Sequence, residues 1–148
     1  MSNQLIPRPT LRSLRVLAFS GRNPGEAKGA GMQLELRQEI EVAQAVSGAD
    51  TAPLQAVVRM RLKARALTEP GTAQADAEFD GEYEGLFLYA ADAQEQTVAS
   101  WLEQHDYQYV LVAQVFPLAM THFRRELQSM GIDARELPGQ EVAGATDG

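Results

Sequence analysis

From Glu78 to Glu84 the chain alternates without a break. Glu78, Asp80, Glu82 and Glu84 fall on one side, Phe79, Gly81 and Tyr83 on the other. A two-residue period belongs to a strand with one wet and one packed face, and it predicts a strand within Ala73–Ala90. Upstream, Leu54–Leu67 repeats the pattern with the opposite charge: Val58, Met60, Leu62 and Ala64 alternate with Arg59, Arg61, Lys63 and Arg65. Glu69-Pro70-Gly71-Thr72 between them reads as a turn, Pro fixing φ and Gly supplying φ > 0. A hairpin folded about Pro70-Gly71 sets Arg59 against Glu82, Arg61 against Asp80, Lys63 against Glu78 and Arg65 against Asp76. The same register brings Val58 beside Tyr83 and Leu62 beside Phe79.

Two further strands precede the hairpin. Leu11–Ser20 puts Leu14, Val16 and Ala18 on one face and Leu17 and Phe19 on the other, so cover on both sides is expected. Met32–Val46 turns Leu34, Leu36, Ile40 and Val42 inward and Glu35, Arg37, Glu39 and Glu41 outward. The turn-rich stretch Ser47–Pro53 returns the chain so that Glu41 faces Arg59, Glu39 faces Arg61 and Glu35 faces Arg65. Arg37 against Lys63 is the one like-charged pair. The basic strand thus lies between two acidic ones, which reads first as a solvated charge lattice.

After the fourth strand the period lengthens. Asp92 and Glu95 have the spacing of a capping box, and the helix after them holds Val98, Trp101 and Leu102 on one face and stops near His105. A longer helix over about Gln108–Met130 carries Val112, Val115, Phe116, Ala119, Phe123, Leu127 and Met130 at three- and four-residue steps. Pro117 bends or restarts it, and Gly131 is a plausible C-terminal cap. The expected class is α+β: a four-stranded antiparallel sheet followed by two helices packed on one face. Residues 1–10, with Pro7 and Pro9, are expected to be a flexible arm, residues 11–137 the domain, and residues 138–148 a disordered polar tail.

Composition mainly excludes. With no cysteine, disulfides, thiol catalysis and zinc–thiolate sites are ruled out. A net charge of −7 repels phosphate backbones and anionic lipid, so neither nucleic acid nor membrane insertion is expected. The start has no continuous apolar signal-peptide core, which points to a cytoplasmic protein. The glycine-rich stretch 21–31 fits neither GxxxxGK[ST] nor GxGxxG. His105 and His122 have no ligand at metal spacing, the acidic alternation does not converge on a cation, and no serine sits in a nucleophile elbow. No cofactor and no enzymatic activity are expected. The run Val110–Phe116, VLVAQVF, exceeds what one helix face buries and points to an oligomer interface or an apolar groove.

Four strands then two helices, with Tyr83-x-Gly85-Leu86-Phe87, Phe116-Pro117-x-Ala119 and Ser129-Met130-Gly131, resemble the SecB family of protein-export chaperones over about residues 12–138. The chain departs from the family at Leu118, at Met120-Thr121, at Tyr109-Val110-Leu111 and in the short ending Leu137-Pro138, so the resemblance is to a divergent member. It implies a holdase that binds unfolded or pre-secretory polypeptides without ATP and assembles as a homo-oligomer, a dimer or dimer of dimers. It further implies a client surface at Phe87, Trp101, Phe116, Leu118 and Phe123, where the fourth strand's end meets the helices. Asp80 falls where the family has a strand Glu implicated in docking the SecA translocation motor, and Glu82 and Glu84 extend that face. Three other readings stand beside export: a SecB-like chaperone dedicated to one client such as an antitoxin, an oligomeric adaptor without a client groove, and a hot-dog enzyme. The last would place its helix before most of the strands.

Overall fold

In a computed structural model, residues 6–24, 33–45, 53–67, 77–135 and 137 are described. The elements run β1 (Thr10–Arg22), β2 (Gln33–Ala45), β3 (Gln55–Leu67), β4 (Ala77–Leu88), α1 (Glu95–Leu102) and α2 (His105–Ser129). The strands form one antiparallel sheet in the order β1-β4-β3-β2. Helix α2 touches all four strands on one face, and α1 packs between α2 and β2. The expected α+β arrangement is therefore the observed one. Both expected turns, Ser47–Pro53 and Glu69–Thr72, fall wholly or largely outside the described residues, as does the glycine-rich stretch beyond Pro24 and the tail beyond Leu137.

β2 and β3 pair in the expected register, Glu41 to Arg59, Glu39 to Arg61, Arg37 to Lys63 and Glu35 to Arg65. The β3–β4 hairpin is two residues off. Arg59 lies opposite Glu84, Arg61 opposite Glu82, Lys63 opposite Asp80 and Arg65 opposite Glu78. A slip of two keeps every side chain on its face, so neither charge nor apolar alternation can detect it. Size decides instead. In the observed register Phe87 faces Ala56, Phe79 faces Ala64, Gly85 faces Val58 and Gly81 faces Leu62. The expected register would have set Val58 against Tyr83 and Leu62 against Phe79, crowding large side chains together, and would have left Gly85 facing the small Ala56. Close packing rewards the alternation of large and small.

β1 also departs from simple alternation. Register shifts between Leu11 and Ser13 and between Val16 and Ala18 mark bulges at Arg12 and Leu17. Each bulge adds a residue and reverses the facing of the positions beyond it. Ala18 therefore lies opposite outward-facing Glu82, while Leu11, Leu14 and Phe19 pack toward the helices. Double cover is not found: Val16 and Leu17 are both exposed.

The core is the helix-facing side of β3 and β4 against Leu111, Val112, Val115, Phe116, Ala119, Met120, Phe123 and Leu127 of α2. A Cβ on Gly85 would lie 2.5 Å from Val115 Cγ2, so α2 sits directly on the β4 backbone there. Helix α1 starts at Glu95 with Gln94 as its cap and no side-chain cap bond; Asp92 lies in the preceding turn, closed by Ala93 N–H to Ala90 C=O at 3.0 Å. α2 begins at His105, earlier than expected, and continues through Pro117. It ends in a Schellman arrangement: Gly131 has φ +88, its N–H donates to Gln128 C=O, and Ile132 N–H donates to Leu127 C=O, both at 3.0 Å. Buried Tyr89 and Tyr107 share a hydroxyl hydrogen bond of 2.7 Å, and the Tyr107 hydroxyl donates to Pro7 C=O at 2.6 Å. Pro7, placed by the sequence in a free arm, is thus tied to α2.

Candidate functional site

Three surfaces bear on function: the solvent side of α2, the outer face of the sheet, and the sheet's edges. The five apolar side chains expected to meet a client divide sharply. Phe87, Phe116 and Phe123 are each 0% exposed. They build the core beneath any surface, because Phe87 packs opposite Ala56 and Phe123 meets Phe19 edge-on at 6.0 Å. Trp101 is half-buried and lies 5.8 Å from the Tyr107 ring. Only Leu118 of the five is openly exposed, at 47%.

Leu118 has neighbours that the core stripe concealed. Tyr109 and Val110 are exposed at 51% and 40% on the same helix, with Gln114 and Thr121 exposed and Ala113 and Pro117 half-buried between them. From Tyr107 to Thr121 the helix has no charged residue. An amphipathic helix facing water ordinarily carries charge there. The signal was legible in the sequence as this missing polar face.

The outer sheet face is a lattice of rows running β1 to β2. One row reads Arg22, Glu78, Arg65, Glu35; the next Ser20, Asp80, Lys63, Arg37; then Ala18, Glu82, Arg61, Glu39; then Arg15, Glu84, Arg59, Glu41. The three acids expected to dock a partner sit within it. Arg61 Nη2 donates to Asp80 Oδ2 at 2.7 Å and Arg61 Nε to Asp80 Oδ1 at 3.0 Å, a diagonal contact that reaches past the residue directly opposite. Glu84 accepts from Arg15 Nη2 at 2.6 Å and from Arg59 Nε at 3.2 Å. The Arg61 guanidinium holds the Asp80 carboxyl below its ordinary range, and Arg15, then Arg59, does the same for Glu84. Glu82 stands 3.9 Å from Arg61. Acids and bases balance across the four rows, so the face carries no acidic field of the kind that steers a basic partner.

The edges differ. β1 is bulged twice, which blunts it against strand addition. β2 pairs with β3 without a register shift over its whole length, and among the described residues nothing pairs with its other side. Its inward side chains Leu34, Leu36, Ile40 and Val42 are half-buried and pack against the core, leaving an apolar lane along the open edge. The sequence indicated this lane; the strand order that leaves it open is not readable from alternation.

One partly buried polar chain links sheet and helix. The Tyr83 hydroxyl bonds His122 Nδ1 at 2.9 Å, and His122 Nε2 lies 3.3 Å from Glu126 Oε2. Burial pushes the Tyr83 hydroxyl pKa up. His122 thereby satisfies a core hydroxyl. Among the described residues no cluster of His, Asp and Glu could hold a metal ion, and no helix is long and apolar enough to cross a membrane.

The fold is SecB-like. A SecB-like chaperone of Mycobacterium tuberculosis, solved in complex with a ChAD peptide from the HigA1 antitoxin, matches at a TM-score of 0.56 and 19% identity. The match covers 85% of this chain and 86% of that one. No family model and no curated protein matches the sequence.

Proposed function

We propose that this chain is an ATP-independent chaperone of the holdase type, not an enzyme, which binds extended segments of unfolded polypeptide at the open edge of β2. The observation that carries this is the unbulged, unpaired strand beside its own half-buried apolar lane. An extended client added there gains backbone hydrogen bonds whatever its sequence and seats alternate side chains beside Leu34, Leu36, Ile40 and Val42. The SecB-like fold supports the reading, and the peptide held by the M. tuberculosis protein favours a second form of it, a chaperone dedicated to one client such as an antitoxin. We assign the uncharged side of α2, with Tyr109, Val110 and Leu118 and with Trp101 nearby, to contact between copies of the chain. Asp80 and Glu84 then have a structural task in the lattice, and delivery to an export motor forms no part of the proposal.

The test is dilution of a slow-folding substrate from denaturant, with and without this protein, in the absence of nucleotide. Substrates should include an antitoxin where one is encoded beside it. Refolding or aggregation should be delayed. Val42→Lys, an inward charge of the kind that protects natural edges, should remove most of the delay, its long stem bending the ammonium out to water and sparing the fold. Leu118→Glu should instead shift sedimentation toward the monomer. A protein that delays no substrate, antitoxin included, is not a holdase, and the adaptor reading then leads.

A further inference from the structure

On the reading that β2 receives the client, we propose that the outward side chains of β2 select the client by its charge pattern. Cations are preferred opposite Glu35, Glu39 and Glu41, and an anion opposite Arg37. The observation is how the lattice commits its charges. The β3 arginines nearest the centre turn toward β4: Arg59 Nε donates to Glu84 at 3.2 Å and Arg61 Nη2 to Asp80 at 2.7 Å. β2 is left with weaker contacts. Lys63 stands 3.6 Å from Glu39 and Arg65 3.8 Å from Glu35, both beyond good hydrogen-bond distance. Glu41 and Arg37 make no ion pair among the described residues, and Arg37 lies directly opposite Lys63, its like. A like-charged pair facing across strands is unfavourable, and the cleft of ≈ 660 Å³ across this end of the face sets Arg37, Lys63 and Arg65 among Glu35, Glu78 and Asp80, none of which pairs with Arg37. A carboxylate on an added strand beside Arg37 would complete the row Asp80, Lys63, Arg37 with the one charge it lacks. The other rows end in Glu and ask for Lys or Arg.

A second copy meets only part of this pattern. Pairing β2 antiparallel with itself along its full length sets Arg37 against Glu41 on either side of the centre, but Glu39 against Glu39 and Glu35 against Ala43. A client strand has no such constraint, and charge patterning of this kind gives specificity by penalising the wrong partner as much as by rewarding the right one.

The experiment uses two labelled peptides of identical composition and the full chain. Both have valine at the inward positions and threonine opposite Gln38. The matched peptide, aligned antiparallel, carries lysine opposite Glu35, Glu39 and Glu41 and glutamate opposite Arg37. The permuted one exchanges the glutamate with the lysine opposite Glu41. Equal net charge removes general attraction to an acidic protein from the comparison. Fluorescence anisotropy should give the matched peptide about tenfold tighter binding, two unlike pairs having become two like ones. Arg37→Glu should reduce the preference to near parity, and Arg37→Glu with Glu41→Arg should invert it. Arg37→Gln serves should the reversal disturb folding, and should at least halve the preference. Equal binding of both peptides, weakened alike by Val42→Lys, overturns the charge selection and leaves the β2 client site standing. Absence of binding by either peptide overturns the site itself. A dimer that Val42→Lys dissociates would show a second copy on the edge and overturn both.

Discussion

Gly85 is where the docking of α2 on the sheet can be tested most sharply. A Cβ built there would stand 2.5 Å from Val115 Cγ2 and 3.4 Å from Cγ1, and Val115 is 0% exposed. Valine in a helix has one strongly preferred χ1 rotamer, so the methyl cannot swing aside; helix and sheet must separate by some tenths of an ångström. Overpacking of that kind costs about 1–3 kcal/mol, and the better strand propensity of alanine offsets at most about 0.5–1 kcal/mol of it. In a chain of this length each kcal/mol moves the midpoint by roughly 2–4 °C, so Gly85→Ala should melt lower, by up to about 10 °C. Val115→Ala alone should also destabilise, through the cavity it leaves. Together the two should lose less than the sum by about 1 kcal/mol or more, each relieving the other's defect. Thermal and urea unfolding followed by circular dichroism read all four proteins. A neutral Gly85→Ala, or strict additivity, would refute the close approach of Val115 to β4 and with it the seating of α2 on the sheet.

Two further expectations concern the charge lattice. A double-mutant cycle on Arg61 and Asp80 should show favourable coupling larger than the cycle on Arg61 and Glu82, because the hydrogen bonds run to the diagonal residue at 2.7 and 3.0 Å while the opposite one stands at 3.9 Å; the reverse order would show that the lattice is held in some other way. Acid should weaken the fold through Asp80 and Glu84. Both are held below their ordinary values by arginine partners, so their contribution is present above about pH 5 and is lost as pH falls through their lowered pKa values, below about pH 4. Replacing both by Asn and Gln should flatten stability against pH in that window, and an unchanged slope would remove them as its cause.

How far the chain could be read depended on what kind of information each feature uses. Facing is a local property with a period of two, so Arg59 to Arg65 and Glu78 to Glu84 disclosed their faces directly. The β2–β3 register was also legible, since the lone clash of Arg37 with Lys63 and the three favourable pairs agree on one alignment. The β3–β4 register was not, because charges repeated every second residue on both strands give equally good pairing after a slip of two. Only the fit of Phe79 and Phe87 against alanines distinguishes the alternatives. The bulges at Arg12 and Leu17 have no glycine at either position to mark them. Phe87, Phe116 and Phe123 were assigned to a surface because a groove and a core ask for the same residue types, and only the path of α2 over β4 separates the two uses.

That separation bears on how a protein with so well-filled a core could hold a client. β1 and β2 face the same hazard, since an open edge recruits other strands, yet the chain treats them differently. β1 has two bulges. β2 has neither bulge nor proline between Gln33 and Ala45, and of its inward positions only Gln38 and Gln44 are polar. Among the described residues a strand left so regular, in a sheet whose other edge is so interrupted, is protected only by the charges on its outer side, and charges repel selectively where a bulge or proline would exclude every strand. An edge guarded in that way satisfies its own copy only in part, since the full-length register that sets Arg37 against Glu41 also sets Glu39 against Glu39, and it is open to an extended chain whose lysines and single carboxylate fall in the right places.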